Sequence, residues 1–202
     1  RSVGSGDVLK PAWTVPLSPP CHGALDKAGT LLASVIPIPI FQGVTSDSAM
    51  MGYPLCNVMS VDVEDYFQVA AFAPNIRRPD WEQWPCRVEA NMERILALFE
   101  RRGVRATFFT LGWIAERYPS LLRRIVANGH ELASHGYGYE QASDLTPAAF
   151  REDVTRAKRL LEDLAGVEVR GYRAPNFSIG AANLWALDVL LEAGYCYSSS
   201  IY

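Results

Sequence analysis

Apolar and polar positions follow two periods along the chain from about residue 55 onward. In RVEANMERILALFERRG, Val88, Met92, Ile95, Leu96 and Phe99 recur at helical spacing, and Gly103 ends the run. YPSLLRRIVANG predicts a short helix, with Pro119 near its start and Gly129 as its stop. TPAAFREDVTRAKRLLEDLAG predicts a longer one, capped by Thr146, entered through Pro147 and closed by Gly166. AANLWALDVLLEAG predicts another. Between these helices LCNVMSVDV, VRATFFTLG, HELASHG and VEVRGYRAP read as buried strands, and YCYSSSIY begins a fifth. Unbroken alternation of strand and helix predicts right-handed βαβ crossovers and a parallel sheet of the α/β class, either open or closed into a barrel.

Residues 1–50 have neither period. They are rich in Pro, Gly and Ser, and are expected to be irregular. The organisation is therefore an irregular segment over 1–50 and one α/β domain over 51–202. Met50 and Met51 stand at the boundary, so an over-extended reading frame is one hypothesis for the first segment. LLASVIPIPIF is too short to span a bilayer and is broken by Pro37 and Pro39. The chain's beginning lacks the basic start and small-residue cleavage site of a simple signal peptide, and the expected location is cytoplasmic.

Charge changes the picture only by exclusion. A net charge of -3, with Lys and Arg dispersed, gives no reason to expect nucleic acid as a partner. Cys21, Cys56, Cys86 and Cys196 are widely scattered with no CxxC pair, which suggests no disulfide framework. With only His22, His130 and His135 available, a metal or proton-transfer site must use those few or rely on carboxylates.

In parallel α/β folds chemistry gathers at the carboxyl ends of the strands. The first strand ends at Asp62, Glu64 and Asp65, the second at Thr110 and Gly112, the third at Ser134 and His135, and the fourth at Arg173 and Pro175. The acidic cluster reads either as a solvated turn or as a metal site in which one carboxylate binds the ion and another acts as base. Alternation puts Asp62 and Glu64 on one side and turns Asp65 away. His135 is either a structural hydrogen-bonding group or a ligand, and His130 reads as structural. Arg173 lies among apolar and aromatic neighbours, where a lone guanidinium is costly, so a carboxylate partner is expected, with Asp62 the best placed. Tyr66 and Phe67 follow the acids and are expected to line a sugar or acyl pocket. Trp81, Trp84, Trp113 and Trp185 read as core or lid residues.

SVDVEDYFQVAAF, GVRATFFTLGWIAERYPSLLRRIVANGHELASHGY and GYRAPNFSI, in that order, resemble the polysaccharide deacetylases with a NodB-like domain. They look closest to the carbohydrate esterases associated with bacterial exopolysaccharide and exosortase gene clusters. The resemblance runs from about Met51 to the end of the chain. It implies a distorted (β/α) barrel, here with about five βα units, and removal of N-acetyl groups from a polysaccharide or oligosaccharide with a divalent metal, zinc being the usual one. It assigns the general base to Asp62, the metal to Glu64 (or Asp65) and His135, and orientation of the base to Arg173. Pro175 marks the turn whose next backbone N–H, that of Asn176, holds the oxyanion.

Three positions depart from the family pattern. Tyr139 stands where the family has a second histidine, and it falls at the pocket. Ser198 replaces the aspartate of an Asp-Ser-Ser motif. No histidine follows His135, so the family's late acid histidine has no counterpart, and the chain reads as truncated at its C-terminal side. Two further functions therefore remain open: a catalytically impaired saccharide-binding or interaction protein on the same scaffold, and an amidohydrolase for a small N-acyl substrate. An open nucleotide-binding fold is disfavoured, because no Gly-rich phosphate loop follows the first strand.

Overall fold

The computed structural model describes residues 58–201; the expected irregular segment 1–50 and the hypothesis about Met50 lie outside them. Each helix forms where local chemistry starts and stops it. Helix α1 (Val88–Arg102) buries Val88, Met92, Leu96 and Phe99, and ends on Gly103, whose φ of 62° is the left-handed conformation glycine adopts without penalty. Strand β1 (Ser60–Val63) precedes it, separated by a long loop containing a 3₁₀ segment, Arg78–Gln83. Strand β2 (Thr107–Thr110) leads into α2 (Gly112–Arg117) and α3 (Pro119–Ala127). Strand β3 (Glu131–Ser134) is followed by α4 (Pro147–Ala165). The Thr146 hydroxyl accepts the Ala149 N–H at 3.3 Å to cap α4, and Gly166 ends it at φ 70°. Strand β4 (Gly171–Tyr172), α5 (Trp185–Glu192) and β5 (Tyr197–Ser198) complete the described residues.

The strands are all parallel and lie in the order β1-β2-β3-β4-β5. Sequential order with every crossover in one direction is the winding of a (β/α) barrel; an open doubly wound sheet reverses direction at a switch point. One core cluster joins Val63, Met92, Leu96, Phe99, Phe108, Leu121 and Ile125 beside β1 and β2. Another joins Leu132, Phe150, Val154, Leu161, Tyr172, Val189 and Leu190 beside β3 and β4.

Three features differ from expectation. Helix α2 has no counterpart among the expected elements: it starts at Gly112, where the expected second strand ends, and GWIA is buried all round with no amphipathic period to announce it. Strand β4 shrinks to two residues; the Tyr197 ring packs where a Cβ on Gly171 would stand, so a glycine is required there. Cys196 is disulfide-bonded while Cys86 is free, a bridge that the scattered spacing concealed.

His130 is structural. It is 7% exposed, packs between Phe99 and Phe108, and accepts the Ala106 N–H at Nδ1 over 3.2 Å. Burial, and then nearby Arg105, lower its pKa below 6.5. A depressed folded-state value means that its contribution is complete above pH 6.5 and is lost as pH falls through the folded value. Urea midpoints of the natural chain should therefore fall from pH 7 to pH 5 more steeply than those of His130→Gln, and parallel slopes would disprove this linkage.

Candidate functional site

The Arg173 guanidinium, at the end of β4, joins three strands. Its Nη1 donates to Asp62 Oδ1 at 2.7 Å, and its Nη2 donates to Ser60 Oγ at 3.0 Å and Ser199 Oγ at 2.9 Å. Nε donates to the Ser199 carbonyl at 3.3 Å. The cation lies 4.0 Å from the centroid of Phe109, which pairs with Asp62 in the β1–β2 register. Four of the five Arg173 N–H groups are thus engaged, and the guanidinium holds Asp62 by one carboxylate oxygen.

Beside this pair Glu64 faces His135. His135 is 2% exposed, and its Nδ1 lies 2.7 Å from the Arg173 carbonyl. A carbonyl only accepts, so Nδ1 carries the proton and Nε2 presents a lone pair. That lone pair is 3.6 Å from Glu64 Oε2, a buried oxygen with no hydrogen-bond partner. Two electron-rich atoms facing each other call for a proton or a cation between them. Their spacing is close to that of neighbouring ligands on a small divalent ion, whose bonds to nitrogen and oxygen are about 2.0–2.2 Å. Glu64 and His135 thus have the atoms and spacing to supply two ligands to such an ion, while among the described residues no group of three His, Cys, Asp or Glu side chains converges.

Tyr139 completes this side. Its hydroxyl donates to Asn176 Oδ1 at 3.2 Å and its ring stands edge-on to His135, with centroids 5.7 Å apart. Burial and the Glu64 and Asp62 carboxylates push its pKa up to about 12, so the phenol stays protonated at neutral pH. Among the described residues the non-glycine residues in the left-handed region are Tyr139 (φ 66°), Asn176 (φ 54°) and Phe177 (φ 52°). The last two follow Pro175 in a short 3₁₀ turn. Such backbone strain persists only where the surroundings enforce it, and it concentrates at functional sites.

Two residues lie elsewhere than expected. Asp65 is not beside Glu64. It is 4% exposed; Oδ1 accepts the Tyr66 N–H at 2.9 Å, and Oδ2 accepts the Val88 N–H at 2.8 Å, the Arg87 N–H and the Cys86 Sγ–H at 3.0 Å. Those donors stand at the start of α1, where a carboxylate satisfies unpaired N–H groups and complements the helix dipole. Phe67 does not line a pocket: at 1% exposure it packs on Trp81 and Trp113. Tyr66 is partly buried against Phe67, with the Arg87 guanidinium 4.5 Å from its ring centroid. Trp81 and Trp113 are core, while Trp84 is exposed.

The family model described as polysaccharide deacetylase matches residues 81–197. A peptidoglycan deacetylase of Helicobacter pylori is 30% identical over 113 residues, which is 56% of this chain and 38% of that protein. A chitooligosaccharide deacetylase of a Bradyrhizobium species is 33% identical over 97 residues, 48% of this chain and 42% of that protein. The chain thus spans well under half the length of these relatives. Among solved structures, a candidate polysaccharide deacetylase of Mycobacterium smegmatis matches with a TM-score of 0.61 at 26% identity, over 77% of this chain and 55% of that one. A CE4-family pseudoenzyme of Bacillus anthracis shares the fold, with a TM-score of 0.52 at 18% identity, over 68% of this chain and 40% of that one.

The placement of Asp65 has a direct consequence for stability. Asp65→Ala should destabilise the fold by about 2–3 kcal/mol in urea unfolding, because several enclosed donors lose their acceptor. Asp65→Asn, which keeps one acceptor oxygen, should cost less. A change below about 0.5 kcal/mol for the alanine variant would remove Asp65 from this role.

Proposed function

Because the chain belongs to the polysaccharide deacetylase family, matched over residues 81–197, we propose that it carries the site of a metal-dependent hydrolase that removes N-acetyl groups from a polysaccharide or oligosaccharide. The observation that carries this reading is the convergence of Asp62, held by Arg173, with the facing pair Glu64 and His135. The peptidoglycan and chitooligosaccharide deacetylases among its relatives support an acetylated saccharide as substrate.

Glu64 and His135 would hold the ion, for which zinc suits a nitrogen–carboxylate pair. When bound, such an ion polarises the acyl oxygen and lowers the pKa of its water. Every other task falls to the chain's own groups. Arg173 fixes Asp62 through Oδ1, leaving Oδ2 to take the proton of the attacking water and to return it to the departing amine nitrogen as the C–N bond breaks. The backbone N–H of Asn176 stands at the turn after Pro175 and donates to the developing oxyanion. The protonated Tyr139 hydroxyl stands where the family carries a second histidine and would offer the ion only a neutral oxygen, a weaker hold than a nitrogen ligand. Tyr139 is also the observation that favours a second reading, a saccharide-binding scaffold with little catalysis.

Metal analysis paired with acetate release from N-acetylglucosamine oligomers separates the two. The hydrolase reading expects bound divalent metal and released acetate, whereas saccharide binding without either establishes the scaffold reading. Asp62→Asn should lower kcat by about 100-fold or more with metal content unchanged. Tyr139→His should raise zinc affinity by about tenfold or more, read by competition with a chelating dye. Unchanged affinity in that variant would place the ion elsewhere.

A further inference from the structure

The segment that carries His135 and Tyr139 is gripped from three directions by groups that the chemistry above does not use. Helix α2 donates its first N–H groups to it: Gly112 N to the Gly136 carbonyl and Trp113 N to the Tyr137 carbonyl, both at 2.9 Å. A Cβ on Gly112 would stand 2.6 Å from the Tyr137 ring, so the two elements lie flush. From α4, Asp153 accepts the Tyr137 N–H with both oxygens, at 3.2 and 3.3 Å. Gly136, at φ 78°, leaves room for it, since a Cβ there would lie 2.9 Å from Asp153 Oδ2. From the loop after β1, Arg78 pairs with Glu140. Its guanidinium lies 5.6 Å from the centroid of Tyr137 and fills the space that a side chain on Gly138 would need.

The electrostatics agree with this geometry. Burial raises the Asp153 pKa to about 6, opposed by the Tyr137 N–H and by the Arg78 and Arg156 cations. Arg156 also stacks 3.5 Å from the Tyr137 centroid, and the Tyr137 hydroxyl donates to Glu116 at 2.7 Å. A largely buried carboxylate is costly unless its oxygens are satisfied by hydrogen bonds. What it holds is one backbone N–H, two residues from His135.

We propose that Arg78 and Asp153 are a positioning pair that locks residues 135–140 against the loop after β1, and so sets the approach of His135 and Tyr139 to Glu64. The proposal rests on the metal-site reading for its consequence and on the contacts above for its existence. The two chain segments that would supply ligands, one from β1 and one from β3, share no helix. Arg78 ties the loop after β1 to residues 137–140, and Asp153 fixes that second segment to α4. Outer contacts of this kind orient ligands, and their loss typically weakens metal binding about 10–100-fold.

The test uses the full chain with Asp153→Ala, Asp153→Asn, Arg78→Ala and Arg78→Lys. Amide hydrogen exchange is followed over residues 135–140, and cobalt(II) absorption and affinity are followed at the site. The two alanine variants should speed exchange in 135–140 about tenfold or more, with α1 and α3 unchanged. They should also weaken cobalt binding about tenfold and shift its absorption band, with Asp153→Asn recovering most of both. A merely structural role would lower the urea midpoint and leave the cobalt spectrum of the folded protein unmoved. That outcome overturns the proposal, as does unchanged exchange in both alanine variants. If Asp153→Ala does not fold, Arg78→Ala and Arg78→Lys carry the same readouts. Should the natural chain take up no cobalt, the metal-site reading fails, and the exchange pattern still decides whether the lock exists.

Discussion

The ion pair between Arg173 and Asp62 constrains the whole sheet. In the strand order β1-β2-β3-β4-β5, these residues sit three strands apart. On a flat sheet that separation is about 14 Å, beyond what a direct 2.7 Å contact allows. The contact exists because the sheet curls, and the guanidinium crosses the concave face to meet Ser60 and Asp62 on β1 as well as Ser199 just beyond β5. A buried guanidinium without these partners would oppose folding, so the same residue that orients Asp62 also selects the curved arrangement over an open one. Phe109 beneath it supplies an apolar floor against which the guanidinium stacks.

From that anchor the site acquires two halves. One is rigid and polar: Asp62, Arg173 and the serines that complete the guanidinium's bonds. The other is electron-rich: Glu64 Oε2 and the His135 lone pair face each other at 3.6 Å. The Arg173 carbonyl joins the halves, because it fixes the tautomer of His135 while the side chain of the same residue fixes Asp62. Moving β4 would disturb both.

The acidic run Asp62-Val63-Glu64-Asp65 shows how much of this is written locally. Alternation along an extended strand separates Asp62 and Glu64 from Asp65, and the structure follows that rule. Alternation does not say what the outlying acid meets. Asp65 lies at the start of α1, more than twenty residues on in the chain, and becomes the acceptor for its first N–H groups. Phe67 has the same lesson in apolar form: its neighbours Trp81 and Trp113 come from separate segments, and they draw it into the core and away from the pocket. Asp153 carried no signal at all, because it sits mid-helix in an ordinary charged stretch and gains its importance from a loop folded over it.

The order of strands and helices, the caps at Thr146, Gly103 and Gly166, and the appearance of Asp62, Glu64, His135 and Arg173 at strand ends are all properties of neighbouring residues. Period, propensity and capping act within a few positions, so the chain determines them by itself. The curl of the sheet, the two-residue β4, the unforeseen α2, the assignment of Asp65 to a helix end and the grip on residues 135–140 were decided only in three dimensions. Each depends on which distant backbone N–H, ring or carboxylate a side chain meets once the core has closed, and no local period encodes that distance.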